Sequence, residues 1–450
     1  MNQILSKSKF IAGCQCLKRL YHLHHGVVPR PPIDEVQQAR LTEGHQVGRL
    51  ATQAFAGGVW VEGEYFQVRE ALAQTQSLLA DVNVPAIFEA AFIFDDVLVR
   101  VDVLERLPGN CWRLIEVKAS NSVKDYHHLD VAVQKYVLEG CGLKPAESCL
   151  MHLNRDYVYD GQGYDLNQLF TRTELTPILG AYSADIPASL AAQRQALAAA
   201  APPEIEPGKF CQKPYPCEFL SHCQPEEPVV AGGQASISGA LSEILSRLRY
   251  PLYFMDFETY GPALPIFAGM RPYEPIPFQW SVHVQRHPGA GLEHYEFLAA
   301  DPHDPRENFI DSLLKVLEDG GGHGHIVVYH RYEEGRLNDL ARWLPAYAPR
   351  LENVKDRLWD LHRVLKNHVQ HPGFRGSYSL KSVLPVLVPH MAYEGMEIAA
   401  GLQASLAYAT LRTGELEEAE SQKLQRNLLD YCCQDTLAMF ELINLLNMQH

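Results

Sequence analysis

The sequence predicts a soluble, mixed α/β protein with two domains, and three observations support this. Apolar residues make up 46% of the 450 residues and charged residues 21%, which is typical of packed globular chains. Strand and helix patterns alternate in both halves of the chain. The stretch 225–240 is rich in Gly, Pro and Ser and has little periodicity. We therefore expect an N-terminal domain over 1–224, a linker over 225–240 and a C-terminal domain over 241–450.

The elements of the two domains follow from apolar periodicity and turn residues. In the first domain, helical patterns cover 7–23 and 34–55, strand patterns cover 86–94, 97–106 and 111–119, a further helix covers 127–141, and a strand starts at 148. In the second domain, strand patterns cover 251–257, 276–285 and 326–330, and long helical patterns continue to the end. Both domains are therefore expected to be α/β.

The charge balance and the apolar runs exclude some classes of protein. Lys and Arg number 39 against 54 Asp and Glu, and this net charge of -15 argues against a protein that coats nucleic acid through a basic surface. It allows an enzyme whose carboxylates bind divalent metals. No apolar run approaches the roughly 18 residues of a membrane span, and the first residues do not resemble a secretory signal. We expect a cytoplasmic protein with no membrane partner; protein partners stay unknown.

A hairpin in the first domain places two carboxylates and a lysine together. The turn residues Pro108-Gly109-Asn110 join two strand patterns, and folding at Gly109 puts Asp102 opposite Glu116. Lys118 then lies on the same sheet face as Glu116. Facing carboxylates repel each other unless a divalent cation lies between them, and Lys118 is placed to position water or steady a phosphoryl oxygen. The alternative is a solvated sheet face that carries charges.

These residues resemble the RecB-like branch of the PD-(D/E)XK nucleases, which have a restriction-endonuclease fold. The match consists of Asp102, the run Glu116-Val117-Lys118, Glu89 on the preceding strand and Gln134 on the following helix. The resemblance implies that Asp102, Glu116 and Glu89 hold Mg or Mn, that Lys118 assists the water, and that Gln134 organises the site. The branch usually has a tyrosine one helical turn after the glutamine, whereas Tyr136 follows by two residues.

A histidine from an early helix is also common in that branch. His45 is the candidate, and the alternative for it is a capping or surface histidine.

Four cysteines suggest a metal centre rather than a disulfide framework. Cys211, Cys217 and Cys223 are separated by five residues each, and prolines keep this segment out of helix. A fourth ligand is needed, and Cys16 is our choice, with Cys14 as the alternative. The run from Cys16 to Tyr21 resembles the N-terminal cluster segment of iron-sulfur RecB-like nucleases, including the CRISPR-associated adaptation nucleases. That resemblance implies a 4Fe-4S cluster; zinc is the competing metal for four thiolates. Cys111, Cys141 and Cys149 are expected to be buried as small apolar side chains.

The C-terminal domain carries a second carboxylate set. Strand alternation puts Asp256 and Glu258 on one face of an otherwise apolar strand, where charges are costly unless they are paired or bind metal. Near the C-terminus, Tyr431 and Asp435 are four residues apart in a helical pattern and share one face. These residues predict a metal site.

This second set resembles the DEDD exonucleases of the ribonuclease-H-like fold, in their tyrosine-bearing subclass. The resemblance implies a 3'-5' exonuclease domain with two Mg or Mn ions held by carboxylates and with Tyr431 orienting the water. The third carboxylate normally follows an aromatic residue, and Glu333 after Tyr332 fits this position, although the family usually has aspartate there. Asp339 and Asp360 are the alternatives.

Over nearly its full length the chain resembles a poorly characterised bacterial family that fuses an iron-sulfur RecB-like nuclease to a DEDD-type exonuclease domain. The stretches 250–259, 277–284, 377–389 and 431–440 carry this resemblance. It implies a metal-dependent DNA nuclease, exonucleolytic on single strands or ends, with two active sites. The rival functions are a nucleic-acid-binding adaptor in which one nuclease fold is a scaffold, and an RNA-processing exonuclease.

Overall fold

The computed structural model describes residues 4–63, 67–224, 235–319, 321–391 and 393–448. The chain forms two compact units, Met1–Glu227 with Ala263–Tyr273 and Pro228–Pro262 with Glu274–His450. Most of the expected linker, residues 225–234, lies outside the described residues. The segment Ala263–Tyr273, which the sequence assigns to the second domain, packs in the first unit: the amide of Ala263 donates to Oε1 of Glu43 at 2.6 Å. Such a long-range contact leaves no local pattern in the sequence.

The first unit is a mixed α/β structure. Its described strands are β1 Leu5–Ser6, β2 Val59–Trp60, β3 Ala86–Phe94, β4 Val97–Leu107, β5 Cys111–Lys118, β6 Glu147–Leu153 and β7 Phe170–Glu174. Its described helices are α1 Lys7–Gln15, α2 Leu17–His25, α3 Glu35–Thr52, α4 Val68–Ala80, α5 Asp125–Gly140, α6 Leu166–Leu169, α7 Thr176–Ala184, α8 Ile186–Ala198 and α9 Leu220–Cys223.

The strands of the first unit form one sheet in the order β2-β3-β4-β5-β6-β7, with β1 also paired to β4. The β4–β5 hairpin turns at Gly109, whose φ of 77° is readily adopted only by glycine. Its register runs from Val103 opposite Ile115 to Leu107 opposite Cys111. One step further along, this register brings Asp102 level with Glu116, as the turn residues predict.

One predicted helix of the first unit is interrupted. The pattern over 7–23 forms two helices, α1 and α2, because Cys16 between them has an extended backbone with φ -163° and ψ 122°. The break turns the Cys16 side chain away from the course of a continuous helix. The predictions for β3, β4, β5 and α5 agree with the structure to within about two residues.

The second unit is also mixed α/β. Its described strands are β8 Ser236–Ile237, β9 Leu252–Tyr260, β10 Ile276–Gln285, β11 Leu292–Leu298, β12 Ile326–Val328, β13 Leu358–Asp360 and β14 Val369–Gln370. Its described helices are α10 Leu241–Ser246, α11 Arg306–Glu318, α12 Tyr332–Trp343, α13 Ala348–Asp356, α14 Leu361–His368, α15 Leu380–Leu387, α16 Gly401–Leu411 and α17 Glu418–Met448. None of the described helices in either unit has the length and apolar character needed to cross a membrane.

The larger sheet of the second unit has the order β11-β10-β9-β12-β13. β10 runs antiparallel to both β9 and β11, whereas β12 runs parallel to β9 and β13. Alternate side chains of β9 enter different cores: Phe254 packs with Met439 of α17, while Met255 packs with Phe309 of α11. The even-numbered positions of β9 therefore face α17, which decides where the carboxylates of this strand point.

Candidate functional site

The first candidate site lies on the sheet of the first unit, where β4 and β5 meet α1 and α5. Glu116 is buried there, with 2% of its surface exposed. Lys7 Nζ lies 2.7 Å from Oε1 and 2.8 Å from Oε2 of Glu116. Gln134 Nε2 donates to Oε2 at 2.6 Å, and Lys118 Nζ lies 2.8 Å from Oε1. Both oxygens of this buried carboxylate are therefore fully engaged.

The charges around Glu116 decide its protonation. Burial alone would raise the pKa of Glu116, but the cations of Lys118 and Lys7 outweigh it and hold this pKa well below its usual range. The ammonium of Lys118 also lies 2.7 Å from Oδ2 of Asp130. Burial opposes the charge on Lys118, but Glu116 and Asp130 raise its pKa well above the ordinary value. In this arrangement Lys118 is a charged donor.

Asp102 and Glu89 bring two further carboxyl groups to the same place. Asp102 Oδ2 accepts a 2.6 Å hydrogen bond from the amide of Val117. Burial and the neighbouring charge of Glu116 raise the pKa of Asp102 to about 8. Burial also raises the pKa of Glu89. Glu89 has φ 56°, a left-handed backbone that is rare for a strand residue and marks local strain beside Asp102.

Of the helix residues considered for this site, one contacts Glu116 and the others lie further away. Gln134 of α5 is fully buried and bonds Glu116, so it occupies the position that the resemblance implies. Tyr136 faces elsewhere, as its spacing predicts, and its hydroxyl donates to Oδ2 of Asp95 at 3.0 Å. His45 on α3 is exposed and lies near enough to Glu89 to interact with its carboxyl group.

Lys7 and Asp130 are site residues that sequence reasoning missed. Lys7 lies at the start of α1, 109 residues before its partner Glu116. Nothing in its local sequence distinguishes it from a surface lysine. Asp130 lies one turn before Gln134 on α5, and this shared helical face is the signal that could have identified it.

The four predicted cluster cysteines converge in the first unit. Cys16, Cys211, Cys217 and Cys223 all line one cavity, and all four are free thiols. Cys14, the alternative ligand, lies apart from them, since its sulfur accepts a 3.5 Å hydrogen bond from Nε2 of Gln193 on α8. The structure therefore brings together the set that contains Cys16.

The chemistry of the four thiols limits which metal this cavity suits. Four thiolates fit either a single zinc ion or a 4Fe-4S cluster.

The cysteine-bearing loop also reaches the carboxylate–lysine site. Gln15, next to Cys16, donates to the backbone carbonyls of Phe210 at 2.7 Å and of Tyr215 at 2.8 Å. The Tyr215 ring packs edge-on against Tyr126, with 5.2 Å between ring centroids. Burial raises the pKa of Tyr215 to about 12, and Lys118 is close enough to oppose this shift. An aromatic pair thus borders the first site.

The remaining cysteines of the first unit do not behave as a group. Cys149 is buried, as expected of a small apolar side chain. Cys111 and Cys141, for which the same burial was expected, are exposed. Cys111 begins β5 directly after the turn and Cys141 follows the end of α5, and both positions lie at element ends where burial is incomplete.

The second candidate site lies in the second unit, between β9 and α17. One carboxylate oxygen from each of Asp256, Glu258 and Asp435 lies within 4.8 Å of the others. Asp256 and Glu258 face α17 because they occupy even-numbered positions of β9, and α17 supplies Asp435. These three predicted ligands are therefore brought together with spacing that a metal ion can bridge.

Glu333 is the third carboxylate candidate that lies at this site. It is buried at 2% exposure near the start of α12, and its side chain hydrogen-bonds that of Asp256. Asp339 instead forms ion pairs with Arg336 and Arg342 on the same helix. Asp360 caps α14 by accepting from the amide of Arg363 at 3.0 Å. The geometry therefore selects Glu333 among the three alternatives.

Two aromatic hydroxyls and a lysine complete the second site. Tyr431 hydrogen-bonds Asp435, one helical turn away on α17. The hydroxyl of Tyr393 also donates to Oδ1 of Asp435. Lys381 of α15 lies over the rings of Tyr393 and Tyr431, with its Nζ 5.4 and 5.3 Å from their centroids. Tyr393, Lys381 and the buried Cys432 were not predicted, because their proximity to the carboxylates arises only from tertiary packing.

The second site is short of positive charge. Burial and Asp435 raise the pKa of Asp256 to about 8, and burial raises the pKa of Asp435 to about 6 against the effects of Tyr393 and Lys381. Burial and Asp256 raise the pKa values of Glu258 and Glu333 well above their usual range. One oxygen of Glu333, Oε2, is buried without a hydrogen-bond partner. Such a site favours either protons or a divalent cation.

Comparison with known proteins assigns only part of the chain. Residues 253–379 match a family model described as "Domain of unknown function (DUF2779)". This segment contains β9 except for its first residue, includes Glu333 and ends before α17. No curated protein matches the chain. A solved structure titled "Crystal structure of SSO0001" is similar at 12% sequence identity, covers 41% of this chain and 76% of that chain, and has a TM-score of 0.20.

Proposed function

We propose that this protein is a metal-dependent nuclease that hydrolyses phosphodiester bonds of DNA, acting on single strands or from ends, with one active site in each unit. The observation that carries this proposal is the group of Asp256, Glu258 and Asp435, whose oxygens lie within 4.8 Å of one another. Buried carboxylates at this spacing repel one another. Divalent cations remove that repulsion and at the same time bind phosphate oxygens.

For the second unit we propose a DEDD-type 3'-5' exonuclease of the ribonuclease-H-like fold. The support is the sheet order β11-β10-β9-β12-β13, the carboxylates on β9 and the Tyr431–Asp435 pair on the last described helix. Mg or Mn bound there would activate a water and stabilise the leaving oxygen. Tyr431 and Tyr393 place hydroxyls beside Asp435, where they can orient that water. Lys381 supplies the positive charge that an approaching phosphate needs.

For the first unit we propose a RecB-like PD-(D/E)XK nuclease site. Asp102, Glu116 and Glu89 are its proposed Mg or Mn ligands, and they lie side by side on β3, β4 and β5. Lys118 remains charged and is the group proposed to position water and to stabilise charge on a phosphoryl oxygen. Gln134 fixes the orientation of Glu116 through its 2.6 Å hydrogen bond.

For the cysteine cavity we propose a 4Fe-4S cluster bound by Cys16, Cys211, Cys217 and Cys223. The support is that all four thiols are free and line one cavity. Bound there, the cluster would tie the start of α2 to the segment 211–223 and close a long loop of chain. That segment carries Tyr215, so the cluster would also hold an aromatic ring beside the first site. A ring in this position can stack on a nucleobase of a single strand.

The decisive experiment for the proposal is a degradation assay with anaerobically purified full-length protein. End-labelled single-stranded DNA and RNA of the same sequence are incubated with Mg or Mn, and the products are separated by length. We expect a ladder of shortened DNA products that depends on the metal, and Ca should support binding without hydrolysis. No cleavage of either polymer with Mg or Mn would refute the nuclease proposal. Cleavage of RNA alone would show that the substrate is RNA and not DNA.

A further inference from the structure

A second cluster of metal-binding side chains lies on β10, β11 and α17, outside the carboxylate sites. One ring nitrogen from each of His283 and His294 and the sulfur of Cys433 lie within 4.8 Å of one another. His283 and His294 are directly paired across the two antiparallel strands, and their rings stack with 4.3 Å between centroids. Cys433 reaches the histidines from α17. Three separate elements therefore direct nitrogen and sulfur ligands at one point.

Hydroxyl groups behind the histidines fix which ring nitrogens are available. Thr436 Oγ1 donates to the carbonyl of Cys433 at 3.0 Å and lies 2.8 Å from Nδ1 of His283 and 2.9 Å from Oγ of Ser281. Ser281 Oγ lies 3.0 Å from Nε2 of His294. We assign the Thr436 proton to the Cys433 carbonyl, and in that assignment Thr436 accepts from Nδ1–H of His283 and from the Ser281 hydroxyl. Ser281 in turn accepts from Nε2–H of His294.

This proton arrangement leaves a lone pair on Nε2 of His283 and on Nδ1 of His294. Histidines that bind metal through one nitrogen usually donate the other N–H to a hydrogen-bond acceptor, which sets the tautomer and the ring orientation. Ser281 and Thr436 provide that support here. The hydroxyl pair is buried, so both rings are held in place before any ion arrives.

We propose that His283, His294 and Cys433 form a zinc-binding site. Two imidazoles and one thiolate are a ligand set that selects Zn over Mg or Mn, which prefer oxygen ligands. Glu296 lies on the other side of the His294 ring, with its Oε2 3.9 Å from Nε2 and so away from the ligand nitrogen Nδ1. A water molecule is therefore the group that completes a tetrahedron.

The site has a structural consequence for α17. Cys433 lies between Tyr431 and Asp435 in the sequence of this helix, and its ligand partners lie on the β10–β11 hairpin. A zinc ion held by all three side chains fixes the rotation of α17 against the sheet. The zinc site therefore acts as a clamp on the helix that supplies two residues of the proposed exonuclease site, although zinc binding itself does not depend on nuclease activity.

The test uses Co²⁺ and Zn²⁺ with the full-length protein. After chelator treatment, Co²⁺ is titrated into the wild type and into His294→Ala, Cys433→Ser and Cys111→Ser variants. Cys111 is an exposed cysteine of the first unit and serves as the matched control. We expect a thiolate-to-cobalt absorption band in the wild type and in Cys111→Ser. The part of that band that comes from this site should be missing in Cys433→Ser and in His294→Ala. Zn²⁺ should displace the bound Co²⁺ and remove this part of the band.

Thermal unfolding gives a readout that does not depend on colour. Zn²⁺ should raise the melting temperature of the wild type and of Cys111→Ser by several degrees more than that of His294→Ala or Cys433→Ser, since ligand binding stabilises the folded state. His294 is exposed, so its replacement by alanine is not expected to prevent folding. Equal cobalt spectra and equal zinc stabilisation in the wild type, Cys433→Ser and His294→Ala would overturn the proposal.

Discussion

The ammonium of Lys7 lies 2.7 Å from Oε1 and 2.8 Å from Oε2 of Glu116, so the first residue of α1 neutralises a buried carboxylate on β5. Removing Lys7 leaves the Glu116 charge compensated by Lys118, which Asp130 shares. We expect Lys7→Met to lower the stability of the metal-free protein by about 2 kcal/mol, the usual worth of a hydrogen bond to a charged group. Mg²⁺ should then stabilise the variant more than the wild type, because the site has become more negative.

Thermal unfolding with and without Mg²⁺ measures both effects of the Lys7 replacement. Lys9→Met on the same helix is the matched control, since Lys9 does not contact Glu116. Equal melting temperatures for Lys7→Met and Lys9→Met in the absence of metal would show that the Lys7–Glu116 pair contributes nothing to stability.

The third carboxylate of the second site can be identified by comparing three variants. We expect Glu333→Gln to reduce exonuclease activity by about 100-fold or more, because this side chain contacts Asp256 and its loss leaves the metal clamp incomplete. Asp339→Asn should have little effect, since Asp339 pairs with arginines on the surface of α12. Rates of DNA shortening in an Asp102→Ala background measure the second site alone. A large loss with Asp339→Asn and none with Glu333→Gln would reverse the assignment.

Tyr431→Phe should be milder than the carboxylate replacements. The substitution removes a hydroxyl that lies beside Asp435 but leaves the three clustered carboxylates in place. We therefore expect a lower kcat with unchanged dependence of the rate on Mg²⁺ concentration. An increase in the Mg²⁺ concentration required for half-maximal rate would mean that Tyr431 helps to hold the metal.

The stability of the metal-free protein should depend on pH through the second site. The pKa of Asp256 is raised by burial and by Asp435 to about 8, whereas an unfolded aspartate ionises near pH 4. Between these values the folded state binds more protons than the unfolded state, so stability falls as pH rises from about 4 to about 8. Mg²⁺ binds the ionised form, and its stabilising effect should therefore grow over the same range.

Melting temperatures at several pH values, with and without Mg²⁺, measure this linkage. Asp102 also has a pKa raised to about 8, so the informative quantity is the difference between the wild type and Asp256→Asn. Asp339→Asn is the control. A Mg²⁺ effect that is the same at pH 5 and pH 8 in the wild type would contradict the predicted linkage.

The cluster assignment predicts different results for neighbouring cysteines. Cys217→Ser should remove most of the brown colour and the iron of anaerobically purified protein, because Cys217 lines the cavity shared by the four thiols. Cys14→Ser should keep both the colour and the iron, since the Cys14 sulfur accepts a hydrogen bond from Gln193 instead. Iron and sulfide analysis measures the outcome. Stoichiometric zinc without iron in the wild type would end the iron-sulfur assignment.

Elements with strong local patterns were predictable from the sequence. The β4–β5 hairpin follows from alternation and from the turn at Gly109, so its register and the juxtaposition of Asp102 and Glu116 could be derived. Asp256 and Glu258 point to the same face of β9 because side chains alternate along a strand with a period of two residues. The restriction-endonuclease and ribonuclease-H-like identities of the two units, and the cytoplasmic location, stay predictions.

Features that depend on tertiary packing were not predictable in the same way. Lys7 is joined to Glu116 across 109 residues, and a local pattern contains no trace of such a contact. Tyr393 and Lys381 come to the second site from segments that carry no metal-ligand pattern of their own. The break at Cys16 likewise reflects an extended backbone within an otherwise helical pattern.

The products formed from end-labelled single-stranded DNA with Mg or Mn show whether one chain carries two metal-dependent hydrolytic sites. Four anaerobically purified proteins are compared: wild type, Lys118→Ala, Asp256→Ala and the double variant. Lys135→Ala, which removes a partly buried lysine paired with Glu139, controls for the loss of charge. We expect cleavage by the wild type and by Lys135→Ala, slower and different product patterns from each single variant, and none from the double variant. Cleavage by the double variant at the wild-type rate would contradict the claim.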